Sequence, residues 1–446
     1  MSKATLTDLR NGDLAGAREL TLREGLTAFP REIFDLADTL EVLDLGGNAL
    51  TDLPDDLGRL AKLRVLFCSG NRFERMPTGL GDCAALSQVG FRGCGLREVP
   101  GEALPPSLRW LILTDNAIQA LPEALGERPA LQKVMLAGNR LRALPGSLAG
   151  AENLELLRLA ANAFDVLPGW LAEMPSLAWL AWAGNPFDHG APMADAVVAW
   201  SSLRQGRQLG EGASGQVHEA LWTDGGQTRP VALKLFKGAM TSDGLPEREM
   251  AACLAAGAHP NLTGALGRLA DHPDQAQGLL MPLLPAGWRV LAGPPSPESC
   301  SRDVYDPDLR LDLGVALRIA RDVATGAAHL HARGLSHGDL YAHNTLWDGA
   351  TGQAVLSDFG GASFLPDGHG DPLGRLDVLA WGRLLGELIE RCDDAPSIPA
   401  SLLDLRRQCT APKPANRPAM AEIVDVLSAF PPQPRAGLAS APLVAL

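Results

Sequence analysis

The sequence predicts two units in series, an α/β solenoid of short repeats followed by a mixed α+β domain. Two observations carry this. Asparagine recurs at Asn48, Asn71, Asn116, Asn139, Asn162 and Asn185, with Cys94 in the one gap, so the steps are 23, 23, 22, 23, 23 and 23 residues. Past Asn185 the period stops, and glycine-rich and acidic motifs of another kind begin. The 446 residues suffice for at least two domains, and 46% hydrophobic with 20% charged residues excludes a disordered or fibrous chain.

Each asparagine closes a frame L-x-x-L-x-L-x-x-N/C, as from Leu40 to Asn48 and from Leu131 to Asn139. Apolar-Pro pairs keep the same period at Leu53-Pro54, Met76-Pro77, Val99-Pro100, Leu121-Pro122, Leu144-Pro145 and Leu167-Pro168. Two registers in step exclude chance. The pattern is similar to the leucine-rich repeat family, which implies one short strand per repeat, leucines stacked inward, and each Asn bonding the turn backbone, with Cys an accepted substitute. An irregular frame around Leu20 to Leu22 and Phe29-Pro30 resembles a capping repeat, so the array is expected over about residues 15–188.

Function in such an array lies on the concave face, at the positions flanking each central leucine. Val65, Phe67, Trp110, Ile112, Met135, Leu156 and Trp179 there form an apolar strip, expected to bind a protein substrate or ligand with the two tryptophans as anchors. The other expected occupant is the second domain folding back over it.

Beyond the repeats, Ala191 to Trp200 predicts a short helix that caps the solenoid and leads onward. Strand-like sequence resumes at Leu203 and runs into Gly210-Glu211-Gly212-Ala-Ser-Gly215-Gln-Val217. A strand-like flank, Gln216 to Trp222, follows the glycines, where a dinucleotide-binding turn would open a helix. Next come Val231-Ala232-Leu-Lys234, Glu249 in a helical stretch, His259-Pro-Asn, His337-Gly338-Asp339 with Asn344, and Asp358-Phe359-Gly360. That order resembles the protein kinase fold, an α+β bilobal domain, so the whole chain resembles a cytoplasmic, bacterial-like leucine-rich repeat protein kinase.

The resemblance implies ATP with Mg²⁺ or Mn²⁺. Glycines without Cβ atoms let backbone amides approach phosphates, and a cation held by a carboxylate neutralises them. ATP contacts are expected at Gly210, Glu211, Gly212, Gly215, Val217, Ala232, Lys234, Met281, Pro282, Leu284 and Leu346, with Lys234 held by Glu249. Asn344 and Asp358 offer hard oxygen ligands for the metal, and Asp339 accepts the proton of the attacking hydroxyl. The expected bounds are 1–188 for the repeats, 189–202 for a helical cap and linker, 203–284 for the N-lobe and hinge, 285–430 for the C-lobe, and 431–446 for a Pro-rich tail.

Four departures from the family pattern stand out. Gly338 replaces the usual Arg, Tyr341 stands where serine/threonine kinases carry Lys, and only Gly361 to Leu376 separates Asp358-Phe359-Gly360 from Asp377. The missing Ala-Pro-Glu leaves Arg417 without its usual partner. The expected function is a protein kinase acting on Ser or Thr; the alternatives are a small-molecule phosphotransferase and a non-catalytic scaffold.

A net charge of −13 argues against nucleic acid and anionic membranes as partners. Neither a signal peptide at the start nor a run of about 18 uncharged apolar residues is read. The seven cysteines are scattered without Cys-x-x-Cys, which fits reduced thiols and a cytoplasmic location.

Overall fold

The computed structural model describes residues 4–189, 196–212, 214–241, 243–366, 371–393 and 398–430. Helix α1 (Leu6–Asn11) opens the chain. Thr5 starts it, accepting from the Asp8 amide while Asp8 accepts from the Thr5 amide at 2.9 Å, and Gly12 ends it at φ 79°. Its Leu9 is buried in the solenoid core, so α1 shields the first repeat. The frame at Leu20, expected as an irregular cap, is instead a full member of the sheet.

Eight three-residue strands pair in parallel in chain order: β1 (Glu19–Thr21), β2 (Val42–Asp44), β3 (Val65–Phe67), β4 (Gln88–Gly90), β5 (Trp110–Ile112), β6 (Lys133–Met135), β7 (Leu156–Arg158) and β8 (Trp179–Ala181). Their central residues Leu43, Leu66, Leu111, Leu157 and Leu180 are at most 1% exposed. The apolar-Pro register marks the return path: Pro54, Pro77, Pro100, Pro122, Pro145 and Pro168 each precede a 3₁₀ turn, which a fixed φ and a missing N–H suit.

The asparagines satisfy the backbone between rungs. Asn139 accepts from the Ile118 amide at 3.1 Å and donates to the carbonyls of Leu113 at 2.9 Å and Leu136 at 3.0 Å. Cys94 keeps the donor half, with Sγ 3.2 Å from the Cys68 carbonyl.

Beyond the solenoid lies a second sheet. β9 (Val197–Ala199) lies parallel to β13 (Gly267–Ala270), so Val197 to Ala199, read as helix, are strand; residues 191–195 of that reading lie outside the described residues. A three-residue edge paired by backbone bonds outcompetes the apparent helical pattern of an Ala/Val-rich run. The remaining strands are β10 (Leu203–Glu211), β11 (Gly215–Asp224), β12 (Gln227–Phe236) and β14 (Gly278–Pro282), in the order β10-β11-β12-β14-β13-β9, with helix α2 (Pro246–Ala256) between β12 and β13.

The larger lobe is mainly helical. β15 (Arg289–Val290) precedes α3 (Leu313–Ala332), followed by β16 (Leu335–Ser336), β17 (Thr345–Trp347), β18 (Ala354–Leu356), β19 (Ser363–Phe364), α4 (Gly374–Ile389), α5 (Ala400–Cys409) and α6 (Met420–Ser428). The expected tail, 431–446, lies outside the described residues. No described helix is long and apolar enough to cross a membrane.

Asn139→Ala strands one buried amide and two carbonyls and is expected to lower stability by about 2–4 kcal/mol. Asn139→Cys should lose less, because a thiol keeps the donor half as at Cys94. The check is a urea midpoint measured at unchanged m-value.

Candidate active site

Three strands and one helix bring the expected phosphate-handling groups together. β11 and β12 pair so that Val217 faces Lys234 and Gly215 faces Phe236, while Ala232 on β12 pairs with Met281 on β14. A Cβ on Gly215 would stand 2.4 Å from the Leu235 carbonyl, so the close strand approach requires glycine there. Gly210 and Gly212 are exposed with no other protein atom near a notional Cβ, and Glu211 pairs with Lys237. Val217, Met281, Leu284 and Leu346 are half-buried and Pro282 is exposed; Leu346 lies on β17 of the other lobe.

Lys234 on β12 is hydrogen-bonded to Glu249 on α2 and sits 3.4 Å from Asp358 Oδ1. Burial opposes the Lys234 charge, but Asp358 and Glu249 outweigh it and hold its pKa above the ordinary value. Burial likewise works against the Asp358 charge, and Lys234 with the Gly360 amide at 3.1 Å brings its pKa below the ordinary value. Asp358 has φ 56°, a conformation Asp tolerates better than bulkier residues. Its bonds are on Oδ1, which leaves Oδ2 as a hard donor. Asn344 donates to the Asp339 carbonyl at 2.9 Å and to Asp339 Oδ2 at 2.8 Å, leaving its own carbonyl oxygen as a second hard donor. This donor set suits Mg²⁺ or Mn²⁺.

The loop that carries Asp339 hangs from a carboxylate that the sequence marked only as the end of the activation segment. Asp377, fully buried at the start of α4, accepts from His331 Nε2 at 2.9 Å, Ser336 Oγ at 3.0 Å, and the amides of His337 at 2.8 Å and Gly338 at 3.0 Å. His337, also buried, reaches the Ser357 carbonyl at 3.2 Å, and burial lowers its pKa despite Asp377 nearby.

The apolar strip is met by the chain's own second domain. Trp179 is 2% exposed, stacks on Tyr341 at 4.0 Å between centroids with planes 9° apart, and donates from Nε1 to the Leu340 carbonyl at 2.9 Å. Leu156 is buried and Met135 packs against the same hydrophobic core of the kinase domain. These positions are therefore not open to an external partner; a parallel array curves around whatever apolar surface its own chain offers. Trp110 and Ile112 are half-buried, with the Lys133 ammonium 4.2 Å from the Trp110 ring centroid. Next to them Gln88 Nε2 reaches the Pro297 carbonyl at 2.5 Å and Arg109 the Glu298 carbonyl at 3.0 Å. Val65 is buried and Phe67 half-buried.

Several residues that build this contact lacked a local motif. Arg158, on the strip but polar, reaches Asp243 Oδ1 at 2.7 Å and the Gly338 carbonyl at 2.9 Å and pairs with Asp339. Glu155 joins Arg302 at 2.5 Å and Arg383 at 2.9 Å. Ser363, fully buried, accepts from the Trp182 amide at 3.0 Å, and Trp182 Nε1 donates to the Phe364 carbonyl at 3.1 Å. Arg417 finds carbonyls instead of a carboxylate: Pro175 at 2.7 Å, Ala411 at 2.9 Å and Arg375 at 3.2 Å. The one sequence signal for Arg158 was its cationic fork at a position where neighbouring repeats carry apolar groups.

Comparison with known proteins agrees with both halves. Residues 203–369 match the family described as protein tyrosine and serine/threonine kinase, and residues 39–60 and 106–164 match leucine-rich repeat families. The chain therefore joins a leucine-rich repeat region to a protein kinase domain. Its relatives include the serine/threonine-protein kinase PkaB of Streptomyces coelicolor, 28% identical over 47% of this chain and 58% of that protein. The non-receptor tyrosine-protein kinase TNK1 of Homo sapiens is 26% identical over 52% of this chain and 40% of its own length. On the repeat side, podocan of Mus musculus is 38% identical over 26% of this chain and 18% of its own. The chain thus spans only part of the curated relatives it matches.

Asp377→Asn should destabilise the protein by about 2–3 kcal/mol at neutral pH, since an amide cannot accept all four bonds. Burial works against the Asp377 charge, but its donors, His331 first, hold the pKa below the ordinary 3.8. The unfolded chain then takes the proton first on acidification. The wild-type advantage is full above about pH 5, shrinks as pH falls through 3.8 and vanishes below the folded value. Unfolding of both proteins across pH checks the sign.

Proposed function

We propose that the chain is an ATP-dependent protein kinase that phosphorylates Ser or Thr. The observation that carries this reading is the convergence of Lys234, Glu249, Asp358, Asn344 and Asp339 in one cleft. When bound, ATP and Mg²⁺ supply the phosphoryl group and neutralise its charge. Lys234, oriented by Glu249, holds phosphate oxygens; Asn344 and Asp358 would hold the metal; Gly210, Glu211, Gly212 and Gly215 cover the phosphates. Val217, Ala232, Met281 and Leu346 would enclose the base, with the Pro282 carbonyl and Leu284 amide reading its edge. Asp339 orients the acceptor hydroxyl and takes its proton. The relatives include both a serine/threonine kinase of Streptomyces coelicolor and a human tyrosine kinase, and of these two acceptor classes we propose Ser/Thr. Seven buried cysteines, all free thiols, suit a reducing cytoplasm.

A second reading, transfer to a small-molecule hydroxyl, is favoured by one observation. The repeats occupy the surface over Tyr341 and Ser363, where a peptide platform is expected.

The test is incubation with labelled ATP and Mg²⁺, alone, with mixed protein acceptors and with aminoglycoside and choline acceptors. Label in protein supports the first reading and label only in small molecules the second. Asp358→Asn should remove transfer by several orders of magnitude, and equal background in wild type and variant would leave a scaffold.

Activity should also be independent of phosphorylation in the activation segment, because Ser363 is fully buried and Phe364 to Leu376 contains no Ser, Thr or Tyr. Mass spectrometry of active protein should find Ser363 unmodified, and Ser363→Ala should keep activity within about tenfold.

A further inference from the structure

Arg158 lies on β7 of the repeats, yet its guanidinium bonds Asp243, the Gly338 carbonyl and Asp339, all of the kinase domain. Its side chain is 2% exposed. One nitrogen pairs with Asp339, a second reaches the Gly338 carbonyl beside it, and Nε holds Asp243 of the segment that leads into α2. A single planar fork thus fixes the catalytic loop of one lobe against the approach to the Glu249 helix of the other.

The surroundings repeat this arrangement. Arg92 Nη2 meets the Met240 carbonyl at 3.1 Å, and Arg248 of α2 lies 3.6 Å from Asp188 beyond the last repeat strand. The catalytic loop brings no Lys or Arg of its own, since positions 338, 341 and 343 are Gly, Tyr and His. His343 is engaged elsewhere, with Nδ1 2.7 Å from Asp303.

We propose that Arg158 is a positioning residue of the catalytic site: the repeats supply in cis the cation that holds Asp339 and locks the two lobes together. Arg158 acts through Asp339 and not on substrate. The alternative for the same contact is a clamp that releases to activate the enzyme, and the packing opposes it. Leu156, Ala178 and Trp179 belong to the hydrophobic core of the kinase domain, and Leu365, Leu373 and Leu376 of that domain belong to the solenoid core. Opening the contact would expose parts of both cores, which suits a permanent junction better than a switch.

This proposal rests on the phosphotransfer reading, and one experiment separates the two. The full chain is given Mg²⁺ and ATP, and conversion of ATP to ADP is followed with transfer to water or to the protein itself. Folding is verified by near-ultraviolet circular dichroism. Arg158→Ala is expected to lower kcat about 100-fold with KM for ATP within about twofold, the signature of a misplaced group that does not bind the nucleotide. Arg158→Lys should recover about tenfold of that, because one ammonium replaces the charge but not the three-way fork. If the Ala protein does not fold, the folded Lys protein carries the test and should show kcat about tenfold below wild type at unchanged KM. Equal kcat in wild type and variants overturns the proposal alone. Faster turnover in Arg158→Ala overturns it in favour of a restraining clamp. A rise in KM matching the fall in kcat overturns it as general loosening. No conversion by wild type overturns the phosphotransfer reading and the proposal with it.

Discussion

Taking the Arg158 guanidinium out of water costs several kcal/mol, and the structure offsets this with two carboxylates and a carbonyl placed to meet all faces of the fork. Burial works against the Arg158 charge, but Asp339 and Asp243 outweigh it and push its pKa above the ordinary value, so the side chain stays a cation. Removing one partner would leave an uncompensated buried charge, a loss of about 3–5 kcal/mol. Such an arrangement persists only when everything around it is fixed. The neighbouring Glu155 cluster with Arg302 and Arg383 adds a second ionic junction, and Trp179 fills the space between them under the two guanidinium groups.

The same contact accounts for the departures from the kinase pattern. Gly338 has φ 66°, and a Cβ there would stand 2.4 Å from the Gly361 carbonyl and 2.6 Å from the Leu180 carbonyl on β8. An Arg at this position would displace the repeat backbone, so the loop gives up its own cation and receives Arg158 across the junction. Tyr341 offers a flat face to Trp179 where a Lys would leave a buried ammonium. The short activation segment carries near its start the Ser363 hydroxyl and Phe364 carbonyl that Trp182 satisfies, and Arg417 is satisfied in part by Pro175 of the repeats.

Legibility followed the range of each signal. Repeat strands and their asparagine rungs were readable because a period of 22–23 residues records contact between adjacent turns directly in the chain. The grouping of Lys234 with Asp358 and of Asn344 with Asp339 was readable because each residue lies in a short motif local to one loop or strand. Helix α1 was missed because six residues give little periodicity, its capping box at Thr5 and Asp8 being the available signal. The docking of repeats on kinase was visible only as an option. It pairs β7 and β8 with a loop more than 150 residues away, and no periodicity encodes which of two apolar surfaces will meet. Asp377 was legible as the residue that closes the short activation segment but not as the anchor of the Asp339 loop, since a fully buried carboxylate in a helix start looks in sequence like any acidic first-turn residue.

The solenoid's regularity therefore has a consequence for the cleft. In β7 the side chains of Leu156 and Arg158 face the kinase domain while Leu157 faces the solenoid core, and the pairing Met135 with Arg158 and Arg158 with Ala181 sets that choice. A slip of one residue would turn Arg158 into the leucine core and Leu157 toward Asp339. The rungs at Asn162 and Asn185 bind the turns that follow β7 and β8, each donating to the carbonyls of two successive repeats. These asparagines hold the register that puts a guanidinium, and not a leucine, beside the Asp339 carboxylate.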